Sequence, residues 1–471
     1  MDNIIRIRGK WNIKNSGCYD TDRDFPGLLT IKPYYHALLE CSLSRQGSDE
    51  NDAVLWNVFP EESDHCVINR IPLISGRGVS GTEITLLNNR MVHRDRMNPV
   101  LGPETDDNEI LFLPEIVIDG YNFSSYDEVR FCRVLTLPDD FVNWIGFEHI
   151  SGEINKKGGL IIYSSGNCTL KICTDENDPD LILLAEYPEE KRLRDIISDL
   201  QVIQNILTFF WGKPSFFISI TGEHEKNPLL SDYYGEKILN KCSIYLNNNR
   251  LCNRKLAEYM HYGSYLISFD EISDDFGEYL GRWRVFERDY SPMVRLYFSV
   301  VFNPEMYPEN VFLSFTECIE IYHRRNDNFK DYLISPDEYR ERTDIVKRLL
   351  GENKVFTKKV RESIVNTLKF GNKPNLENRL NDICDFFGDF LEPYIADYGE
   401  FSSSVSGNRN YIAHREAKEG FSYAGGTELC IFTAKLEMVI YTIFLYECGF
   451  EKDFIKNILS RFMDRKTGEC F

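Results

Sequence analysis

The sequence predicts an α+β multidomain protein, with a β-rich N-terminal part followed by an all-α C-terminal part. Up to about residue 187, short apolar runs recur between turn-forming residues. From about residue 307 onward, apolar residues instead recur at helical spacing. The chain has 471 residues, of which 42% are hydrophobic, so it is long enough for two or three domains with sizeable cores.

The N-terminal apolar runs have the length and spacing of strands in an antiparallel sandwich or barrel. They cover residues 27–31, 82–87, 115–118, 129–134, 160–163 and 181–184. A helix follows, because apolar residues from Leu193 to Phe210 repeat at helical spacing before Gly212 and Pro214 end the pattern. Residues 216–220 favour another strand, so the β-rich domain is predicted to span residues 1–225.

The remainder is predicted to contain a mixed connecting region, residues 226–300, and a helical domain, residues 301–471. Apolar stripes at helical spacing indicate a bundle of about five to seven helices. These stripes occupy residues 311–322, 376–394 and 429–444. Ser335 followed by Pro336 and two acidic residues is typical of a helix start. The last long helix is predicted to be strongly amphipathic and to end at Gly449.

The charge distribution narrows the kinds of partner that the chain can bind. A formal net charge of −20 argues against a protein that coats nucleic acid non-specifically. Residues 345–379 depart from this balance, with nine basic and three acidic side chains. Such a run is usually a solvated helix face, but it could also contact RNA phosphates, with Lys358, Lys359 and Arg361 as candidates.

The sequence also predicts a cytoplasmic protein without a membrane span. No stretch approaches the roughly 18 consecutive apolar residues that a spanning helix requires. The first residues lack the basic and apolar regions of a secretory signal. The 13 cysteines are scattered and contain no C-x-x-C pair, which is typical of reduced thiols.

Several motifs point to common enzyme classes, but their context argues against each. Residues 76–81 fit the glycine fingerprint of dinucleotide-binding proteins, yet an alternating β-type segment follows where a helix is required. Residues 93–95 and 275–277 resemble two kinase motifs, but Val100 stands where a kinase needs Asn. The sequence has no H-E-x-x-H, no Cys/His cluster and no P-loop lysine motif, so neither a metal site nor a cofactor is expected.

The most informative short motif is Arg409-Asn410-Tyr411-Ile412-Ala413-His414. On a helix, Asn410 and His414 share one face, and the long side chain of Arg409 can curl toward the same cleft. The alternative is a surface Arg with a His packed at a helix end. Arg254 and His261 have a similar spacing, but no Asn or Asp follows that Arg, so we interpret both residues as structural or surface groups.

With this Arg-Asn-x-x-x-His ahead of a last long amphipathic helix, the C-terminal third resembles the HEPN ribonucleases. The segment Thr316-Glu317-Cys318-Ile319-Glu320 is similar to the first helix of that family, which often bears an acidic residue. The segments Arg8-Gly9-Lys10-Trp11 and Pro26-Gly27-Leu28-Leu29 resemble the opening of the N-terminal domain of the ApeA family of bacterial anti-phage proteins.

The resemblance implies a metal-independent endoribonuclease that acts in anti-phage defence by abortive infection and works as a dimer. Arg409 would bind the scissile phosphate, His414 would transfer a proton, and Asn410 would orient one of these groups. The β-rich domain would then be a sensor for a phage-derived trigger. Two alternatives belong to other classes: a non-catalytic HEPN dimerisation module with a ligand-sensing domain, and a carbohydrate-binding β-sandwich with a helical appendage.

Overall fold

The computed structural model describes most of the chain. The described residues are 4–13, 24–32, 36–44, 70–94, 107–146, 159–175, 178–225, 239–247, 250–252, 265–353, 355–414 and 423–469. The chain divides into two compact units, Met1–Glu278 and Tyr279–Phe471. The Arg254/His261 pair lies outside the described residues.

The first unit is built on a 13-stranded antiparallel sheet, counted over the described residues. Its strands are β1 (Ile5–Ile13), β2 (Phe25–Lys32), β3 (His36–Ser44), β4 (Arg70–Gly78), β5 (Glu83–Arg94), β6 (Asp107–Leu113), β7 (Ile116–Asp119), β8 (Arg130–Pro138), β9 (Leu160–Ser164), β10 (Thr169–Asp175), β11 (Asp178–Arg192), β12 (Phe217–Glu225) and β13 (Leu239–Leu246). Each apolar run that the sequence assigned to a strand lies within or across one of these, which confirms a β-rich first domain.

Six strands close into a barrel, which settles the choice between sandwich and barrel. They run in the order β4-β1-β2-β3-β6-β5, and β5 pairs back with β4. Inward side chains such as Trp11, Leu29 and Ile74 are fully buried and fill the interior. Gly76 is required here because the Trp11 ring occupies the space where a Cβ would lie.

Seven further strands extend the sheet beyond the barrel in the order β7-β13-β12-β8-β11-β10-β9. Helix α2 (Leu193–Trp211) packs against β11 and buries most of its C-terminal half. Gly212, at φ +64°, ends this helix in the left-handed conformation that glycine tolerates best. The predicted helix and its end are therefore confirmed.

The glycine fingerprint at residues 76–81 forms a turn between two strands, as predicted. Strand β4 ends at Gly78 and β5 begins at Glu83, so no helix N-terminus follows the glycines. Gly81, at φ +91°, allows the reversal, and the Gly78 amide donates to the Thr82 carbonyl over 2.8 Å. This segment cannot hold a pyrophosphate in the manner of a dinucleotide-binding protein.

Twelve α-helices are present among the described residues. They are α1 (Phe141–Ile145), α2, α3 (Phe276–Asp289), α4 (Ser291–Val301), α5 (Pro308–Arg325), α6 (Pro336–Glu352), α7 (Lys358–Leu368), α8 (Leu376–Phe386), α9 (Gly388–Leu391), α10 (Tyr398–His414), α11 (Thr427–Cys448) and α12 (Lys452–Glu469).

The C-terminal unit confirms the helical bundle and corrects two of its details. From Pro308 onward the described residues form eight helices, so the expected five to seven is wrong. The predicted stripe at residues 376–394 breaks at Phe387, where the backbone leaves helical geometry, and separates α8 from α9. The predicted start of α6 is confirmed, because the Ser335 hydroxyl accepts from the Glu338 amide over 3.3 Å.

Helix α11 differs most from its prediction. Nearly every side chain from Leu436 to Leu445 is buried, so this helix is apolar all round rather than strongly amphipathic. It is also not the last helix, since α12 follows it. Among the described residues, α11 alone is long and apolar enough to cross a membrane. Because it packs against α5 and α12 inside the bundle, it is typical of the core helix of a soluble protein.

Candidate functional site

The three motif residues lie together in the last two turns of α10. This helix packs against α8 and α5, with Phe401 and Val405 buried on its inner side. Arg409 is half-buried, with 37% of its side chain exposed, whereas Asn410 and His414 are exposed. The motif therefore lies at the surface of the bundle, within reach of a large substrate.

An acidic residue on α5 holds the Arg409 guanidinium. Its Nη2 lies 3.7 Å from Oε1 of Glu320, whose side chain is only 16% exposed. The other oxygen of the same carboxylate lies 2.5 Å from the guanidinium of Arg324. One half-buried carboxylate thus contacts two arginines, which limits the positions that Arg409 can adopt. Of the two acids in the α5 segment predicted to matter, Glu317 is exposed and Glu320 makes this contact.

Arg409 also contacts its neighbour in the motif, because its Nη1 donates to Oδ1 of Asn410 over 3.2 Å. Asn410 and His414 are one helical turn apart and project from the same side of α10. Within the described residues, His414 makes no hydrogen bond or ion pair. The structure therefore joins Arg409 to Asn410 directly and places His414 beside them at the helix end.

Tyr423 and Ala424, which follow residues 415–422 in the chain, contact α10, the helix that carries the motif. Buried Asn408 accepts from the Ala424 amide over 2.8 Å and donates to the Ser404 carbonyl over 2.9 Å. The ring of Tyr423 stacks on that of Tyr411, with centroids 4.0 Å apart. These contacts hold Tyr423 and Ala424 against the helix that carries the motif. No local pattern in the sequence marks Asn408 as part of the site.

Arg379, His323 and Asp382 form a polar cluster between α5 and α8, the helix pair that also contains Glu320 and Arg324. Arg379 on α8 is 3% exposed and donates from Nη1 to Nδ1 of His323 over 2.9 Å. Nε2 of His323 lies 2.9 Å from Oδ2 of Asp382. Because Nδ1 accepts, the ring is neutral and carries its proton on Nε2, which donates to Asp382.

Burial sets the protonation of this cluster. Desolvation lowers the pKa of His323, and the charge of Arg379 lowers it further, although Asp382 acts in the opposite direction. Desolvation also lowers the pKa of Arg379, which feels the charges of both Arg324 and Glu320. The charge of Glu320, which contacts Arg409, therefore also acts on Arg379 in this cluster. Sequence analysis missed both buried residues, because a charged side chain this deeply buried has no signature in the local pattern.

The basic residues proposed for RNA contact lie in the first turn of α7. Lys358 and Lys359 are exposed, and Lys358 lies 3.9 Å from Glu362. Arg361 donates weakly to the Gly351 carbonyl over 3.5 Å. In the described part of the chain, no hydrogen bond or ion pair connects these three residues to Arg409. Also within that part, no three His, Cys, Asp or Glu side chains are placed to hold a metal ion together.

Comparison with known families assigns both parts of the chain. Residues 313–454 match the family described as Apea-like HEPN, so the C-terminal unit contains a HEPN domain. Residues 6–283, more than half of the chain, match the family described as ApeA N-terminal domain 1. The chain therefore belongs to the ApeA family. No curated protein and no solved structure matches it. At the level of the family, the combination of an ApeA N-terminal domain with a HEPN domain supports a nuclease role in anti-phage defence.

Proposed function

We propose that this protein is a metal-independent HEPN endoribonuclease that cuts RNA by attack of the 2′-hydroxyl on the adjacent phosphate. The observation that carries the proposal is the arrangement on α10, where a guanidinium restrained by Glu320 lies next to an exposed amide and an exposed imidazole. These groups supply the two things that RNA cleavage needs, which are charge stabilisation and proton transfer.

Arg409 binds the scissile phosphate in this proposal. A guanidinium is cationic, presents paired donors and matches the geometry of phosphate oxygens. The contact to Glu320 is long, at 3.7 Å, so a phosphate with a shorter and charge-assisted hydrogen bond can compete for the same donors. Glu320 then acts as a positioning residue, which keeps the guanidinium near the cleft before RNA arrives.

His414 transfers the proton. It accepts the proton of the attacking 2′-hydroxyl or donates one to the leaving 5′-oxygen, since an imidazole nitrogen can accept or donate a proton. Asn410, one turn before it and bonded to Arg409, orients the imidazole or the phosphate. The product is a 2′,3′-cyclic phosphate, and DNA is inert because it lacks the attacking group.

Cleavage of a synthetic RNA tests this chemistry in three arms. Wild-type protein should cut in EDTA, should fail on an RNA with 2′-deoxyribose at the scissile position, and should lose activity on His414→Ala. Arg340→Ala is the matched control, because Arg340 is an exposed arginine of the same unit that pairs with Asp337. Cleavage that strictly requires magnesium, or that proceeds at the deoxy position, would refute the proposed chemistry.

The proposal extends to the setting of the reaction. HEPN domains commonly dimerise and act on RNA, and we propose that two copies pair through this domain in the cytoplasm. Lys358, Lys359 and Arg361 then contact RNA phosphates outside the cleft. Reversing the charges of Lys358 and Lys359 should weaken RNA binding and reduce its salt dependence. Unchanged RNA binding would show that the basic residues of α7 only form a solvated helix face.

We also propose that the β-rich domain restrains the nuclease until a phage product appears, because unregulated RNA cleavage would kill the host cell. Deleting residues 1–225 should change toxicity or abolish the response to phage. If toxicity and defence both stay unchanged, the first domain has no regulatory role.

One observation favours a non-catalytic alternative. Arg409 already has two partners in Glu320 and Asn410, so it could serve only to join α10 to α5 while the domain dimerises or docks a ligand. A purely structural motif should tolerate Arg409→Ala and His414→Ala together without loss of phage defence. A catalytic motif should lose defence completely in the same double variant.

A further inference from the structure

A row of cations runs along the outer face of the barrel. Arg6, Arg8 and Lys10 alternate along β1 with inward-facing residues, and all three are exposed. Side chains that alternate on a strand repeat about every 6.7 Å on one face. Among the described residues, none of the three forms an ion pair. Residues 1–300 carry a net charge of −15, so this row of cations is opposite in sign to the overall charge of the segment.

The pairing of β1 with β4 adds a fourth cation at a position that costs stability. Lys10 lies directly opposite Arg77, which is also exposed. Like charges at directly opposed positions in an antiparallel pair repel each other. Glu83, 2.9 Å from Arg77, offsets this repulsion only in part, because Arg77 is exposed and Glu83 is partly exposed to solvent. The row therefore concentrates positive charge on this face despite the repulsion between its members.

The row borders a groove. Two adjoining depressions of about 780 and 800 Å³ share Arg8, Leu28 and Val79 in their walls. Val79 is 85% exposed at the tip of the turn between β4 and β5. The barrel is closed at this face, so a ligand lies across the strands and cannot add a strand to an edge.

A row of uncharged residues on β2 lies beside the cations of β1. The β1–β2 register places Thr30, Leu28 and Pro26 opposite Arg6, Arg8 and Lys10 in turn. No aromatic side chain among the described residues lines either depression. Single-stranded nucleic acid is usually held by aromatic side chains on which its bases stack.

We propose that this groove binds an extended acidic segment of a partner protein. Carboxylates of the segment contact Arg6, Arg8 and Lys10, and its neutral side chains lie over Pro26, Leu28 and Val79. Guanidinium groups suit this role because they form bidentate hydrogen bonds with carboxylates. The assignment does not depend on the nuclease chemistry, since every residue involved belongs to the first unit.

Fluorescence anisotropy with the full chain tests the assignment. The probe is a labelled peptide in which Glu and Val alternate, and the comparison peptide has Gln in place of each Glu. We expect saturable binding of the Glu peptide, at least about tenfold weaker binding of the Gln peptide, and loss of binding as salt rises.

Two charge reversals then locate the site. Arg8→Glu should weaken binding of the Glu peptide at least about tenfold. Arg90→Glu makes the same change in net charge at an exposed position of β5 outside the groove, and it should have little effect. The His414→Ala chain should bind like the wild type, so a failed nuclease proposal would not affect this result.

Three outcomes would overturn the assignment. The first is the absence of saturable binding by the Glu peptide. The second is equal weakening by Arg8→Glu and Arg90→Glu, which would show only a net-charge effect. The third is displacement of the peptide by polyuridylate at lower concentration together with sensitivity of polyuridylate binding to Arg8→Glu, which would make the groove a nucleic-acid site. Melting temperatures of both variants show whether the barrel stays folded.

Discussion

Replacing Arg409 with Ala should separate activity from stability. The variant loses the donors that stabilise developing charge on the phosphate, and loss of one such group lowers the rate constant by about 10²–10³, or about 3–4 kcal/mol. The structural cost is smaller. The ion pair with Glu320 is 3.7 Å long, and Arg409 is 37% exposed, so solvent screening limits its contribution to about 1 kcal/mol or less.

Initial rates of RNA cleavage and thermal melting measure the two quantities side by side. We expect a melting temperature within about 4 °C of wild type, because about 1 kcal/mol shifts a unit of this size by no more than that. Arg409→Lys should recover the charge but not the paired donors, and so should give an intermediate rate. The reasoning would be refuted if Arg409→Ala cleaved RNA as fast as the Arg340→Ala control, or if its activity fell only in proportion to unfolding.

Two further predictions concern the framework around the site. His323→Leu should lower the stability of the C-terminal unit by about 2–4 kcal/mol, because the buried Arg379 guanidinium loses an acceptor. The folded-state pKa of His323 lies below its ordinary value of 6.5, so its contribution is complete above pH 6.5 and is lost as pH falls through the folded value. The melting temperature of the wild type should therefore fall as the pH is lowered below 6.5, and that of His323→Leu should fall less. If the melting temperatures of the two proteins change equally with pH, the role given to His323 is contradicted. Gly449→Ala should cost about 1–2 kcal/mol, since Gly449 has φ +81° and an added Cβ would meet Arg282. An unchanged melting temperature would show that Gly449 is not needed to end α11.

Local patterns predicted the elements well, because each depends on neighbouring residues. The helix from Leu193 ends where Gly212 takes up a positive φ, and the glycines at 76–81 form a turn because the segment after them alternates as a strand does. The Ser335 cap is likewise a matter of four consecutive residues. In each case the chemistry that sets the structure lies within one turn of the chain.

Long-range pairing accounts for what the sequence did not predict. Closure of the barrel depends on β1 meeting β4 and on β3 meeting β6, pairings between distant strands that an alternating pattern allows but does not require. The surroundings of α11 bury all its sides, which only the packed bundle reveals. The candidate site is also only partly predictable from the sequence. The local motif identifies Arg409 and His414, whereas the contact of Arg409 with Glu320 joins two helices far apart in sequence. Buried His323 and Arg379 are visible only once α5 and α8 are packed together.

RNA integrity in phage-infected cells tests the central claim most directly. Cells producing wild-type protein are compared with cells producing His414→Ala, with and without infection, and the RNA of each is resolved by size. We expect discrete RNA fragments only with wild type and only after infection, together with loss of defence in His414→Ala. Intact RNA in both strains, with defence preserved in His414→Ala, would contradict a catalytic role for this motif.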